Sequence, residues 1–494
     1  MTKGPLFNDN NKSFTTRDNL GINSVAASIQ AELCPIVNTV TPRAFYWPFM
    51  VWNYYDFYTN SGAKEFKLET FDKPFLKKND YFFVLSNIIN DNPDRYNLVG
   101  SQNTTAYYVA NPAGPFSYIT DYFKTRYGGM QYYNAGCLTM GFITNESSDG
   151  ETFKFPKLTK ELGEPMALAF ERVIKDTEYY KNYRLLNKPV PKNVLEEFGK
   201  IVTLDFSAFD ECKELLRKAM FEPIKNIRLD NTDLIESSKY VKFIYNNCPA
   251  FTGKGVNELD LKALREVLFD YYSPAGMCNY EHDSDLNKII TKWEVVVGRQ
   301  YFTMAIEMIW KHMLLSLCYP MTLEKWIEIS IEDSKHTVKL DDNLSIYIPN
   351  SNFSFAERES MIAKGAYSST KTAENIDTGI KLLLSIYNRF NNRDDIDKSL
   401  LDMGEEISIS HLISLVEAYK NKPVCEFLLY IIENWIVKQH QKTAFNKMLQ
   451  GRNGYFFEIV DGLYYKKTDT NAEFQGIRLL QLMRVMMDLD MLEN

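Results

Sequence analysis

Apolar side chains recur at helical spacing through most of the chain. In LGINSVAASIQAELCP, opened by Leu20, the residues Val25, Ile29 and Leu33 share one face; Asn23 or Ser24 is placed to cap the helix and Pro35 ends it. Nine of the fourteen residues from Phe45 to Tyr58 are aromatic, and a helix apolar on nearly every side belongs inside a domain. Residues 77–90 repeat the periodicity with Tyr81, Phe82, Leu85 and Ile88/Ile89. Between 91 and 150 the pattern breaks at Asn92-Pro93, Gly100-Ser101, Asn111-Pro112, Gly114-Pro115 and Gly128-Gly129, which predicts loops rich in tyrosine, and 145–157 reads as a polar break. A helix is predicted over 160–181. The two prolines of LLNKPVPKN (185–193) mark a linker, since neither fits inside a helix.

Beyond the linker, helix follows helix. Leu261, Leu264, Leu268 and Tyr271/Tyr272 form a stripe, and Thr322 after Pro320 is placed to cap LEKWIEIS. The alternation in 338–349 around Asp342-Asn343 predicts a short hairpin, and the polar stretch 351–375 a mobile connection. Ser408 or Ser410 caps the next helix. Pro423 opens a longer one through Trp435 to Leu449, which Gly451 and Gly454 stop. YFFEIVDGLYYKK (455–467) is a hairpin turning at Asp461-Gly462, and a last helix spans 473–489. No repeat of fixed period occurs. The expected fold is mainly α and multi-helical, with small β hairpins and a C-terminal winged-helix-like module. Its expected parts are an aromatic-rich helical domain over 1–185, a central helical domain over 186–350 and a C-terminal domain over 351–494.

Composition narrows the function classes. The chain has 494 residues, 45% hydrophobic and 24% charged, which excludes wholesale disorder. Its net charge of −8 excludes a protein built throughout to hold polyanions, so any nucleic-acid surface must be local. The N-terminus lacks the apolar core of a signal peptide. Residues 44–58 contain Asn53 and Asp56, and 301–319 contain Glu307, Lys311 and His312; both read as buried helices rather than membrane spans. Seven scattered Cys without a C-x-x-C pair predict reduced thiols and a cytoplasmic protein.

Motifs for catalysis are sparse. TGKG (252–255) lacks the spacing of a phosphate loop and reads as a turn. No G-x-S-x-G occurs. CNYEHDSD (278–285) gathers Cys278, Glu281, His282, Asp283 and Asp285, but a structural zinc site needs a second ligand pair, so it reads as a solvated acidic loop. His440-Gln441-Lys442 has the H-x-K core of a nuclease motif, yet its two functional side chains point to different faces of a helix. No catalytic, cofactor-binding or metal-ligating residue is assigned, and no cofactor is expected. The candidate nucleic-acid contacts are Lys438, Lys442, Lys447, Arg452, Lys466 and Lys467, six cations opposed within 438–467 only by Glu458 and Asp461, a local charge of +4. The alternative is a solvated helix face. The aromatic run is read as core, with base stacking as its alternative. Arg43 is read as one half of a salt bridge fixing the first helices, with an anion contact as its alternative.

Several segments occur in an order that resembles a family of bacterial proteins encoded in phage-defence gene islands. These are LGINSVAASIQAEL, TVTPRAFYWPFMVW, KKNDYFFVLSNI and LGEPMALAFE (162–171), then His440 with KTAFNKML, the hairpin, and RLLQLMRVMMDLDML. The resemblance spans most of the chain. It implies a non-enzymatic subunit, adaptor or sensor, of an anti-phage complex, with helicase, nuclease or ATPase subunits as partners, DNA as a further contact and no membrane. No catalytic residue is carried over. The alternatives are a protein-interaction scaffold without nucleic-acid binding, and a metal-dependent nuclease whose site the sequence does not reveal.

Overall fold

The structure is a computed structural model that describes residues 18, 20–39, 41, 43–62, 66–67, 71, 75–93, 95, 98–123, 131–146, 152–222, 231–270, 272–273, 276–277, 286–332, 337–366, 374–402, 404–450 and 452–492. It is mainly helical, and every described sheet is a two-stranded pairing. Two compact units form, neither continuous in sequence. One takes the residues up to Ile29, Arg265–Tyr272 and Ile290–Gly476; the other takes Gln30–Leu264, Ser273–Ile289 and the residues from Ile477.

The second unit is built around the aromatic helix Tyr46–Asn60, buried on nearly all sides as its composition requires. At its start the Phe45 ring stacks on Phe83 at 4.8 Å and meets Phe170, Phe206 and Phe209 edge-on. The helix Lys77–Ile89 lies against Lys192–Ile201, where Gly199 lets the backbones approach: a Cβ there would sit 2.4 Å from the Ser86 carbonyl oxygen. Asn87, Asn90 and Asn92 then donate to the carbonyls of Val202, Leu195 and Gly199.

Several loops expected here are ordered elements. Ser101–Ala110 and Gln131–Thr139 are helices. The polar break is an antiparallel pair, Ile143–Glu146 with Thr152–Leu158, held because Ile143 and Phe155 are buried beneath the polar positions. The helix expected over 160–181 is two, Gly163–Ile174 and Glu178–Asn182, because the Thr177 hydroxyl accepts from the Tyr180 amide and starts a new helix. The proline-rich segment 185–193 lies inside this unit. Val190 and Phe116 exchange backbone bonds of 2.8 Å, with Pro189 and Pro191 flanking the bridge where no ladder donor is lost.

In the first unit the backbone of the packing is the long helix Asn287–Ser316, from which Ile290–Ser316 belongs here; Trp293, Val297, Tyr301, Ile309 and Trp310 are buried along it. The helix Asn375–Phe390 crosses it at Gly379, where a Cβ would meet the Ala305 carbonyl oxygen at 2.8 Å. Two expectations fail in this unit. Residues 338–349 form no hairpin: they bond to 420–425 instead, Leu344 N to Lys422 O at 3.0 Å and Cys425 N to Leu340 O at 3.0 Å, which buries Val338 and Leu344. The polar stretch after Ser351 contains the helix Phe355–Gly365, with a reciprocal cap between Ser354 and Glu357 and with Phe355 and Ile362 buried; residues 367–373 of that stretch lie outside the described residues.

Among the described residues no helix is long and apolar enough to cross a membrane. Cys34, Cys137, Cys212, Cys318 and Cys425 are free thiols. Cys248 is disulfide-bonded, which corrects the expectation of seven reduced thiols: scattered spacing does not forbid two cysteines from meeting in space.

Candidate interaction surface on the C-terminal helix and hairpin

From Pro423 the chain forms one unbroken helical run: Val424–Tyr430, a π segment Ile431–Lys438, then Gln439–Leu449. Its apolar side, including Phe427, Ile431, Trp435 and Ala444, is buried. Lys438, Lys442, Phe445 and Leu449 recur at spacings of three and four and so form one stripe, all exposed. The hairpin Phe457–Val460/Leu463–Lys466 follows in the predicted register, Val460 opposite Leu463. Asp461 and Gly462 take φ of 52° and 77°, the mirror-image turn that matches strand twist.

Three contacts seat the hairpin. Tyr464 exchanges backbone bonds with Met321. Phe457 packs edge-on against Trp310 and Trp326. The buried His440 ring accepts the Phe456 amide through Nε2 at 3.1 Å, which places the ring proton on Nδ1. His440 is therefore a structural acceptor, while Lys442 two residues on faces solvent, so the H-x-K pair shares no site. Phe445 (48% exposed), Leu449 (69%), Ile459 (46%) and Val460 (47%) leave large apolar surface uncovered on the helix and hairpin. Single exposed apolar residues are ordinary; here four fall within sixteen residues of sequence, interspersed with cations.

The six candidate cations differ in their surroundings. Lys438 donates to Asn434 Oδ1 at 2.8 Å, Lys442 pairs with Glu406 at 3.3 Å, Lys466 with Asp469 at 3.0 Å and Lys467 with Glu458 at 2.6 Å. Arg452 is exposed. Glu406 and Asp469 reduce the local excess that the 438–467 stretch shows by itself. These exposed pairs are each worth about 0–1 kcal/mol, so a phosphate can displace the carboxylate at small cost. Lys447 stands apart. It is half-buried, donates to the Asp18 carbonyl oxygen at 2.7 Å, and burial lowers its pKa against the opposing pull of the Asp18 carboxylate. Its role is to hold the chain at Asp18.

Arg43 is buried and paired. Its Nε lies 3.0 Å from Asp488 Oδ2, its Nη2 lies 2.9 Å from Oδ1 and 2.6 Å from the Leu204 carbonyl oxygen, and the Ala44 amide also donates to Asp488. The salt bridge, not an anion contact, accounts for this side chain. The aromatic run is core: Trp47, Trp52 and Tyr54 are buried and cannot stack on bases. TGKG is a turn with Gly253 at φ +69°. CNYEHDSD (278–285) lies outside the described residues. Among the described residues no group of three or more His, Cys, Asp or Glu is placed to hold a metal ion.

Two buried clusters went unnoticed in the sequence. In the second unit Asp56 accepts from Arg184 Nε at 3.2 Å and from Asn60 at 2.8 Å, while Arg184 stacks on Tyr180. Burial raises the Asp56 pKa and lowers that of neighbouring Lys78 to about 8, opposed by their mutual attraction with Arg184 and Asp56 respectively. In the first unit the ion pairs Arg265–Glu359 and Arg358–Asp270 lie about Tyr301, whose hydroxyl donates to Glu359, and Arg389 and Arg393 both pair with the buried Glu294. The carboxylates of both clusters are paired with cations, as buried charges must be. The chain matches no known family model, no curated protein and no solved structure.

Proposed function

We propose that this chain is a non-enzymatic subunit, an adaptor or sensor, of a bacterial anti-phage defence complex that works in the cytoplasm. In this reading its C-terminal helix and hairpin dock on a partner and on the phosphate backbone of DNA. The observation that carries the docking clause is the exposed helix stripe Lys438, Lys442, Phe445 and Leu449, in which two cations adjoin two apolar anchors. The helix and hairpin would act as recognition helix and wing of a winged-helix-like module. Support for the defence role is the ordered resemblance of the segments quoted above. Five free thiols favour a reducing compartment, and the disulfide at Cys248 opposes it.

The test is duplex binding as a function of salt, with Lys438→Glu, Lys442→Glu, Arg452→Glu and Lys467→Glu combined. Lys447 is left in place because it holds Asp18. Salt-sensitive binding that falls at least tenfold in the variant is expected; unchanged binding would remove DNA from the proposal. The partner clause is tested separately by co-purification from the native gene neighbourhood, with Phe445→Ser/Leu449→Ser expected to release the bound proteins.

A further inference from the structure

The helical run that follows Pro423 carries an unbroken heptad. Val424, Leu428, Ile431 and Trp435, then Lys438, Lys442, Phe445 and Leu449, succeed one another at alternating spacings of four and three, the pattern of the a and d positions along which two helices pack. The first four are buried in the core of their own unit. The last four are exposed. The π segment Ile431–Lys438 stands at the change: it is wound more loosely than an α-helix, so the residues after it turn a different side inward. Beyond it His440 and Ala444 are the buried positions, and the a/d seam comes out on the face opposite them, with Phe445 48% and Leu449 69% exposed.

We propose that the seam Lys438, Lys442, Phe445 and Leu449 is the docking site for one amphipathic helix of a partner protein, which sets apolar side chains against Phe445 and Leu449 and carboxylates against Lys438 and Lys442. The spacing selects a helix. An extended chain repeats every two residues and cannot follow a stripe that repeats about every three and a half. The charge selects acidic residues, and Lys442 already holds one carboxylate, that of the exposed Glu406. A phosphate backbone would answer the two cations and leave Phe445 and Leu449 uncovered; a helix answers all four. A second copy of this chain fits less well. Pairing in parallel sets Lys438 and Lys442 against themselves, and pairing antiparallel sets them against Leu449 and Phe445 with no carboxylate on the seam. From Lys438 to Leu449 the seam runs about 18 Å, three turns of helix, so its strength rests on the two apolar anchors.

This identification of the occupant rests on the partner clause of the proposed function. The probes are two hydrocarbon-stapled peptides, stapled because isolated helices of this length are marginal in water. One presents Glu, Glu, Leu and Leu at successive seam positions and suits a parallel partner; the other reverses the order and suits an antiparallel one. Binding to the full-length protein is followed by fluorescence anisotropy. One of the two is expected to bind, and Phe445→Ala/Leu449→Ala to weaken it about tenfold or more. Lys438→Glu/Lys442→Glu should lose that peptide and take up its counterpart with Lys in place of Glu, a gain that only a folded protein can show. Absence of binding by both peptides up to about 1 mM, binding untouched by the apolar variant, or a charge preference that does not reverse would each overturn the proposal. So would a dimer in sedimentation that Phe445→Ala/Leu449→Ala dissolves, since the occupant would then be a second copy. Failure of the partner clause looks different: no neighbouring protein co-purifies, or those that do stay bound to Phe445→Ser/Leu449→Ser, whatever the peptides do.

Discussion

Asp488 is the carboxylate that meets Arg43 in the interior: it takes guanidinium bonds and the Ala44 amide from 445 and 444 residues away. Asp488→Asn should therefore cost about 3–5 kcal/mol in denaturant unfolding, since it strands a buried guanidinium, whereas the double replacement Arg43→Met/Asp488→Leu should cost less than the single one. Lys78 makes the opposite kind of prediction. Its folded value of about 8 lies below its ordinary 10.5, so the unfolded chain binds more protons between those limits and stability rises with pH across them. Lys78→Met should remove that rise, as seen in the difference between the two pH profiles. Arg43 could be singled out in the sequence because an arginine inside an aromatic run must find a partner. Asp488 could not, because nothing local links it to position 43. Glu307 was visible only as a charge that bars the long helix from a membrane; what faces it comes from Asn23 and Glu473.

Elements were legible where their own residues specify them. The hairpin at Asp461-Gly462 appears in register because two positive-φ residues sit between alternating strands. Ser408 caps its helix by accepting the His411 amide, and Thr322 accepts that of Lys325. The helix Phe355–Gly365 carried a legible signal that composition obscured: Ser354 and Glu357 stand at capping-box spacing in an otherwise polar stretch. The segment 338–349 was beyond local reading, since its alternation serves pairing with 420–425. The hairpin's seat is testable at this scale. His440→Phe preserves ring packing against Trp310 and Phe457 but leaves the buried Phe456 amide without its acceptor, at about 1–3 kcal/mol. Faster amide exchange across 456–466, with little change in the Tyr46–Asn60 helix, is the expected result.

Neither unit can be cut from the chain as one piece, for each draws on segments far apart in sequence. Reading in sequence order suggests successive domains, because composition shifts and prolines are local while packing is not. For the aromatic unit the distant contribution is the helix Arg478–Asp488, which lies against Thr232–Asn247 and carries the mate of Arg43. Removing residues 477–492 should leave this unit loosely packed, seen as lost near-ultraviolet dichroism and dye binding to exposed aromatics. That same dependence sets an order of events at the ribosome. The Phe45–Tyr58 run emerges early, yet its arginine waits through more than four hundred further residues for a carboxylate. At a synthesis rate of about 5–20 residues per second this leaves tens of seconds during which the stickiest stretch of the nascent chain is unfinished and open to chaperones.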